Sequence, residues 1–300
     1  MKLRLRLLLI LVLLGWVPLA LYALFSDSKT RDAIVENAEK HLGQIRDLKA
    51  LQIESYIEKI GSQARVLSRT PLLVEEMEQL PAHFHQLTAE QAFHHYIYEN
   101  PYPLGELNQL EDAGDGSGYS AGHRRIHRLF DQVVHEYGLY DLLLIDTQGN
   151  VIYSAEKEPD FASNLYHPGE YKGELRKVYQ KAMQQEDVDG VVFSDVAPYF
   201  PSSMQEAGFV GSPIGGPDQQ LLGVLIMQYS TTPISEIVNS REGMEPGAKV
   251  LLLQQRGESE FKFLNDVGMS WEQLVKTERF HRKASKMAQP QAPIIRALRG

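Results

Sequence analysis

The stretch that most narrows the possible folds is Tyr140 to Leu165, YDLLLIDTQGNVIYSAEKEPDFASNL. Leu142 to Ile145 is an unbroken aliphatic run, Asp146-Thr147-Gln148-Gly149-Asn150 supplies turn chemistry, and Val151-Ile152-Tyr153 resumes with β-branched and aromatic residues. Two apolar runs across a short Gly/Asn loop predict a β-hairpin. Four apolar residues without alternation predict a strand covered on both faces. A polar loop follows, with Lys157, Glu158, Asp160 and Asn164.

The segments around this hairpin predict an antiparallel α+β layer. Helical spacing runs through residues 72–98, with a break expected near Pro81, and through 124–137 and 172–185. Strands are expected at 191–193, 208–214 and 221–229, with helices on one side of the sheet. Asp195-Val196-Ala197-Pro198-Tyr199-Phe200-Pro201 is expected to be a stiff connection, and 234–239 a short return helix. Upstream, 28–67 predicts one long helix whose stripe runs through Ile34, Ala38, Leu42, Ile45, Leu48, Gln52, Tyr56, Ile60, Ala64 and Leu67. At about 1.5 Å per residue such a rod reaches about 60 Å.

The nineteen residues from Leu7 to Phe25 carry no charge and follow Lys2, Arg4 and Arg6. As a helix they reach about 29 Å, the thickness of a bilayer core. Basic residues on the N-terminal side place that end in the cytoplasm. The expectation is an uncleaved inner-membrane anchor with the body in the periplasm. The rival is a cleaved leader, against which Leu21, not a small residue, stands two positions before Ala23.

Composition excludes some classes. The formal charge is −9, and without the three N-terminal basic residues the body has 27 basic against 39 acidic residues, which argues against a nucleic-acid partner. The absence of cysteine removes disulfides, thiolate catalysis and Cys-based zinc sites. No Walker or GxGxxG motif occurs. His123 and His127 stand one helical turn apart, but Arg124 occupies the Glu position of HExxH. An exported His-based metal hydrolase is the rival from the enzyme class; a histidine pair bonding backbone or loop is the plainer reading. His83, His85, His94 and His95 lack a third ligand at fixed spacing, and the loop from Asp112 has His123 where a calcium loop needs a bidentate Glu. No metal, cofactor or catalytic residue is assigned.

The words HHYIYENPYPLGE, DGSGYS, YDLLLID, GNVIYS, KEPDF and FSDVAPYFPS, in this order and spacing, resemble the double-Cache extracytoplasmic sensor regions of bacterial chemotaxis receptors, histidine kinases and cyclases. The resemblance covers roughly Asp47 to Gly300. It implies a PAS-like five- to six-stranded antiparallel Cache domain, a spine helix whose N-terminal half forms a homodimer, and a small-molecule pocket in the membrane-distal module. By position, Tyr153, Lys157, Asp160, Asp195, Tyr199, Phe209 and Arg125 would surround that pocket, Asp195 facing an ammonium and Lys157 or Arg125 a carboxylate. The Arg-x-Trp-Tyr motif of the amino-acid-binding subset is absent, since Trp stands only at Trp16 and Trp271.

From residue 248 a strand, the turn Arg256-Gly257 and a partner strand at 261–264 resemble the opening of a second, membrane-proximal module. The expected organisation is 1–27 cytoplasmic N-terminus and anchor, 28–70 spine, 71–240 sensor domain, and 241–300 a partial second Cache domain of a truncated receptor. The implied function is non-enzymatic, chemoreceptor-like sensing, with the sensor half of a kinase or cyclase as the alternative.

Overall fold

The computed structural model describes residues 2–167, 173–185, 190–244, 248–255 and 261–263. Helix α1 (Lys2–Leu67) runs unbroken through Pro18, so the expected anchor and spine are one element. The burial of its second half differs from the predicted stripe. Leu48 and Gln52 are exposed, and the inward path is Ile45, Lys49, Ile53, Ile57, Ile60, Ala64 and Leu67. Both paths have helical spacing; the choice between them is made by what packs alongside.

Helix α2 (Pro71–Leu87) opens on proline and passes through Pro81 without ending, contrary to the expected break. The chain turns instead at Thr88, whose φ is +71°. Thr88 Oγ1 then accepts the Gln91 N–H at 3.3 Å, starting α3 (Ala89–Phe93), which continues into one π-helical turn, His94–Tyr98. Helix α4 (Gly118–Tyr137) begins six residues earlier than the apolar spacing indicated. Ser117 caps it, accepting the Ser120 N–H at 3.0 Å, and Gly138 ends it in the left-handed region.

The sheet contains β1 (Leu139–Asp146), β2 (Val151–Ser154), β3 (Val192–Phe193), β4 (Ala197–Tyr199), β5 (Gln205–Gly215) and β6 (Leu221–Ser230). All pairings are antiparallel in the order β2-β1-β6-β5, with β3 and β4 sharing the outer edge of β5. The segment expected as a stiff connection therefore supplies a sixth strand. Pro198 is tolerated there because β4 is an edge strand.

Helices cover both faces of this sheet, not one. Leu142, Leu144, Val210, Ile214, Leu225 and Met227 meet α1, α2 and α4 in one core. Leu143, Ile145, Phe209, Val224 and Ile226 meet α5 (Gly173–Met183) in the other. This two-sided burial explains the absence of alternation in LLLI. Helix α6 (Thr232–Asn239) returns to the spine, where buried Lys49 donates to the carbonyls of Ile237 and Ser240, the latter at 2.9 Å.

Strands β7 (Leu253–Gln255) and β8 (Phe261–Phe263) pair antiparallel. The turn Arg256-Gly257 and everything after Phe263, including Trp271, lie outside the described residues. Among the described residues no helix is long and apolar enough to cross a membrane; residues 7–25 fall partly on positions whose side chains are not described.

Gly208 on β5 is required by close approach. A methyl group there would lie 2.3 Å from Tyr229 Cζ, and Tyr229 is itself buried. Gly208→Val is expected to destabilise the domain by about 1–3 kcal/mol, read as a lower urea midpoint; an unchanged midpoint contradicts this packing.

Candidate functional site

The hairpin is fixed first at its turn. Asp146 Oδ1 accepts the N–H groups of Gln148 and Asn150, each at 2.9 Å, and Oδ2 faces His85 Nε2 at 3.0 Å. The chain leaving β2 then doubles back along it. Val151 N–H donates to Ser163 O, Ala162 N–H donates to Val151 O, and Asn150 bridges Asn164. Left-handed backbone at Lys157 and Ala162 permits this reversal.

The fold-back is held by Asp141, which is completely buried. Its Oδ1 accepts the N–H groups of Leu142, Ala155 and Glu156 at 2.6, 2.9 and 3.0 Å, and its Oδ2 accepts the Ser154 hydroxyl at 2.8 Å. Burial pushes this carboxyl well up and nearby Asp160 adds to that, while the bonds from Glu156 and Ser154 oppose it.

Register sets Asp141, Gln228 and Phe209 in one row across β1, β6 and β5. By alternation with Leu143 and Ile226, the row lies on the α5 face. Around it stand the residues of the returning loop and of β4. Tyr199 Oη donates to Asp160 Oδ2 at 2.6 Å, and the Tyr199 and Phe209 rings meet edge-on at 5.0 Å. Glu158 accepts from Tyr140 Oη at 3.1 Å and from Ser202 Oγ at 2.8 Å; Gln228 Nε2 donates to Ser202 Oγ at 2.8 Å. Burial raises the Glu158 carboxyl to about 7. Gln228 is buried, and its Oε1 has no hydrogen-bond partner among the described residues. Such an acceptor is costly unless something donates to it.

A second polar group lies on the α4 side of the same loop. His123 and His127 are buried and stacked at 4.8 Å. His123 Nδ1 meets Glu111 O at 2.7 Å. His127 Nε2 meets Asn108 O, a contact only an N–H makes, so Nδ1 accepts from Tyr153 Oη at 2.8 Å. Burial first, and Lys157 second, lower His127 to about 4 and keep it neutral. Both ring nitrogens of His127 are engaged, the arrangement of a histidine pair bonding backbone and loop. Lys157 is buried with Nζ 3.4 Å from His127 Nε2 and 3.3 Å from Ala155 O. Burial lowers its ammonium to about 7 against the pull of Asp141, Glu156 and Asp131.

The structure thus separates the seven residues expected around one pocket. Asp160, Tyr199 and Phe209 come together on the α5 face, and Tyr153 joins Lys157 on the α4 side. Arg125 lies on the outer side of α4, paired through Nε and Nη2 with both carboxylate oxygens of buried Glu76, the Nη2 contact at 2.8 Å. Asp195 is exposed between β3 and β4. Sequence reasoning missed Asp141, Gln228, Glu158 and Ser202. The signal for the first two was present: each is a lone polar residue inside an apolar strand.

No family model matches the chain, and no curated protein matches it. Among solved structures it is similar to the ligand-binding domain of the Pseudomonas aeruginosa amino-acid chemoreceptor PctC in complex with GABA, at 19% identity and TM-score 0.43, covering 79% of each chain. It is similar to the ligand-binding domain of the Pseudomonas fluorescens chemoreceptor CtaA in complex with L-serine, at 13% identity and TM-score 0.34, covering 80% of this chain and 79% of that one. It is also similar to the E. coli DcuS sensor domain, at 13% identity and TM-score 0.36, covering 62% of this chain and 99% of that one.

A buried lysine lowered to about 7 makes stability depend on pH. Between about 7 and its ordinary value of 10.5 the unfolded chain holds a proton that the folded chain has lost, so this group makes stability rise with pH across that window. Lys157→Met is expected to remove on the order of 3 kcal/mol of that rise. Urea unfolding at pH 7 and pH 10 reads the difference; equal slopes in variant and parent contradict it.

Proposed function

We propose that this chain is the extracytoplasmic sensing region of a bacterial chemoreceptor-like protein, and that its ligand is a small molecule bearing an ammonium group. The observation that carries the reading is the buried group on the α5 face: the carboxylate of Asp160 beside the row, and Gln228 Oε1 within it, which has no hydrogen-bond partner among the described residues. These groups offer negative charge and an acceptor, the complement of a primary amine. Tyr199 and Phe209 give an apolar wall for the remainder. Lys157 and Asp195 are assigned no direct contact, because one faces His127 and the other faces solvent.

In this reading an ammonium entering the row displaces no fixed partner of Gln228 and draws the loop at 155–161 down on the sheet. Strands β5 and β6 pack on α1, and Ser212 Oγ meets Ser68 Oγ of the segment ending the spine at 2.9 Å. A ligand that binds one arrangement of loop and sheet more tightly than the other shifts the population and with it the spine. We further propose that residues 7–25 anchor the chain in the inner membrane. Supporting this are the basic residues before them and the uncovered side chains of Leu11, Trp16 and Leu19. Ile34, Val35 and Leu42, also uncovered on α1, are proposed to meet a second copy, and 241–300 to open a second Cache module.

Thermal unfolding of the purified chain with a panel of amino acids and small amines tests the ligand class. At a hundredfold excess over Kd a ligand is expected to add about 2.7 kcal/mol, and Asp160→Asn or Gln228→Leu to abolish the gain. A panel response confined to dicarboxylates lacking nitrogen contradicts the reading. For the assembly, Ile34→Asp with Leu42→Asp is expected to halve the mass seen by light scattering; a parent that is already monomeric at micromolar concentration contradicts the pairing.

A further inference from the structure

The paired histidines before the long loop acquire in three dimensions the ligand they lacked in sequence. Between His94 and Tyr98 the helix widens to a π turn, closed by the Glu99 N–H donating to His94 O at 2.9 Å. An α-turn would carry the fifth residue past the first; the wider turn keeps His94 and Glu99 on one side. Glu99 Oε2 lies 3.5 Å from His94 Nδ1 and 2.7 Å from His95 Nδ1. One nitrogen from each ring and this oxygen all fall within 4.8 Å of one another.

We propose that His94, His95 and Glu99 form a surface site for one borderline divalent metal ion of the zinc or copper class. Two neutral imidazoles and one carboxylate are the donors such ions take. Ligand atoms at about 2.0–2.1 Å from a tetrahedral zinc stand about 3.3 Å apart. The His94–Glu99 separation of 3.5 Å is within a few tenths of an ångström of that value, and the His95–Glu99 hydrogen bond opens by a small side-chain rotation to admit the ion. Remaining positions are left open, since no fourth side chain among the described residues joins the group.

The turn is held from beneath, which pre-forms the site. Tyr96, between the two ligand-bearing faces, is buried and donates to Ser120 Oγ at 3.0 Å. Asn100 Nδ2 donates to Tyr96 O and Leu107 O at 2.9 and 3.0 Å, pinning the chain after Glu99. The His94 ring lies against Tyr98 at 6.0 Å, and Tyr98 against Phe93 at 5.4 Å. The other close histidine pair, His123 and His127, is buried with His127 engaged at both nitrogens, so it does not compete. This site lies apart from the acidic row and does not depend on the ligand proposed there.

The test is calorimetric titration of Zn2+ into the full chain, purified without a histidine tag and stripped by chelator, with Co2+ absorption as a second reading of coordination. One saturable ion per chain is expected, weakened more than about tenfold by His94→Ala and by His95→Ala. Glu99→Gln, which keeps size and removes charge, is expected to weaken it as well, and His167→Ala to leave it unchanged. Since His94 and Glu99 are exposed and His95 is half-buried at the surface, these variants are expected to keep the parent's far-UV circular dichroism. Absence of saturable binding, or binding equal in the parent and the His94→Ala, His95→Ala double variant, overturns the proposal.

Discussion

A single carboxylate, that of Asp141, holds the mouth of the domain in shape. Entirely buried at the head of β1, it gathers three backbone N–H groups and a hydroxyl. Those bonds fold the chain after β2 back over the sheet. A buried acceptor of this kind is costly without donors and strongly organising with them. The placement of Lys157, Glu158, Asp160 and Phe161 follows from that one anchorage. Replacing the loop's fixed ends by flexible ones would release both polar groups at once, the acidic row on one side and the histidine pair on the other.

The two groups are unlike in chemistry, and the difference assigns their roles. On the α4 side His127 is engaged at both nitrogens and Lys157 is drawn toward neutrality by burial. This is a satisfied structural network. On the α5 face carboxylates crowd together, Glu158 is pushed up to about 7, and Gln228 presents an acceptor with no donor among the described residues. A surplus of acceptors is costly unless donors meet it, and the proposed ammonium ligand would supply them.

The hairpin was legible because LLLI, DTQGN and VIY are local signals, each sufficient for its piece of structure. The amphipathic faces of α4 and α5 were legible for the same reason. What failed required knowledge of neighbours. Strand β4 is three residues long with Pro198 at its centre, so only the edge of β5 makes it a strand. The inward path of α1 through Lys49 depends on the carbonyls ending α6. Grouping seven site residues by chain position merged two sides of a sheet that helices cover on both faces. Glu99 was invisible as a partner of His94 because the π turn that joins them carries no signature in composition.

Amide hydrogen exchange on the full chain, with and without the primary amine that stabilises it most, tests the central claim most directly. The account predicts slowed exchange concentrated in residues 155–161 and 199–206 and at the ends of β1 and β6 that carry Asp141 and Gln228. Protection confined to segments remote from that row, with these peptides unchanged, would contradict it.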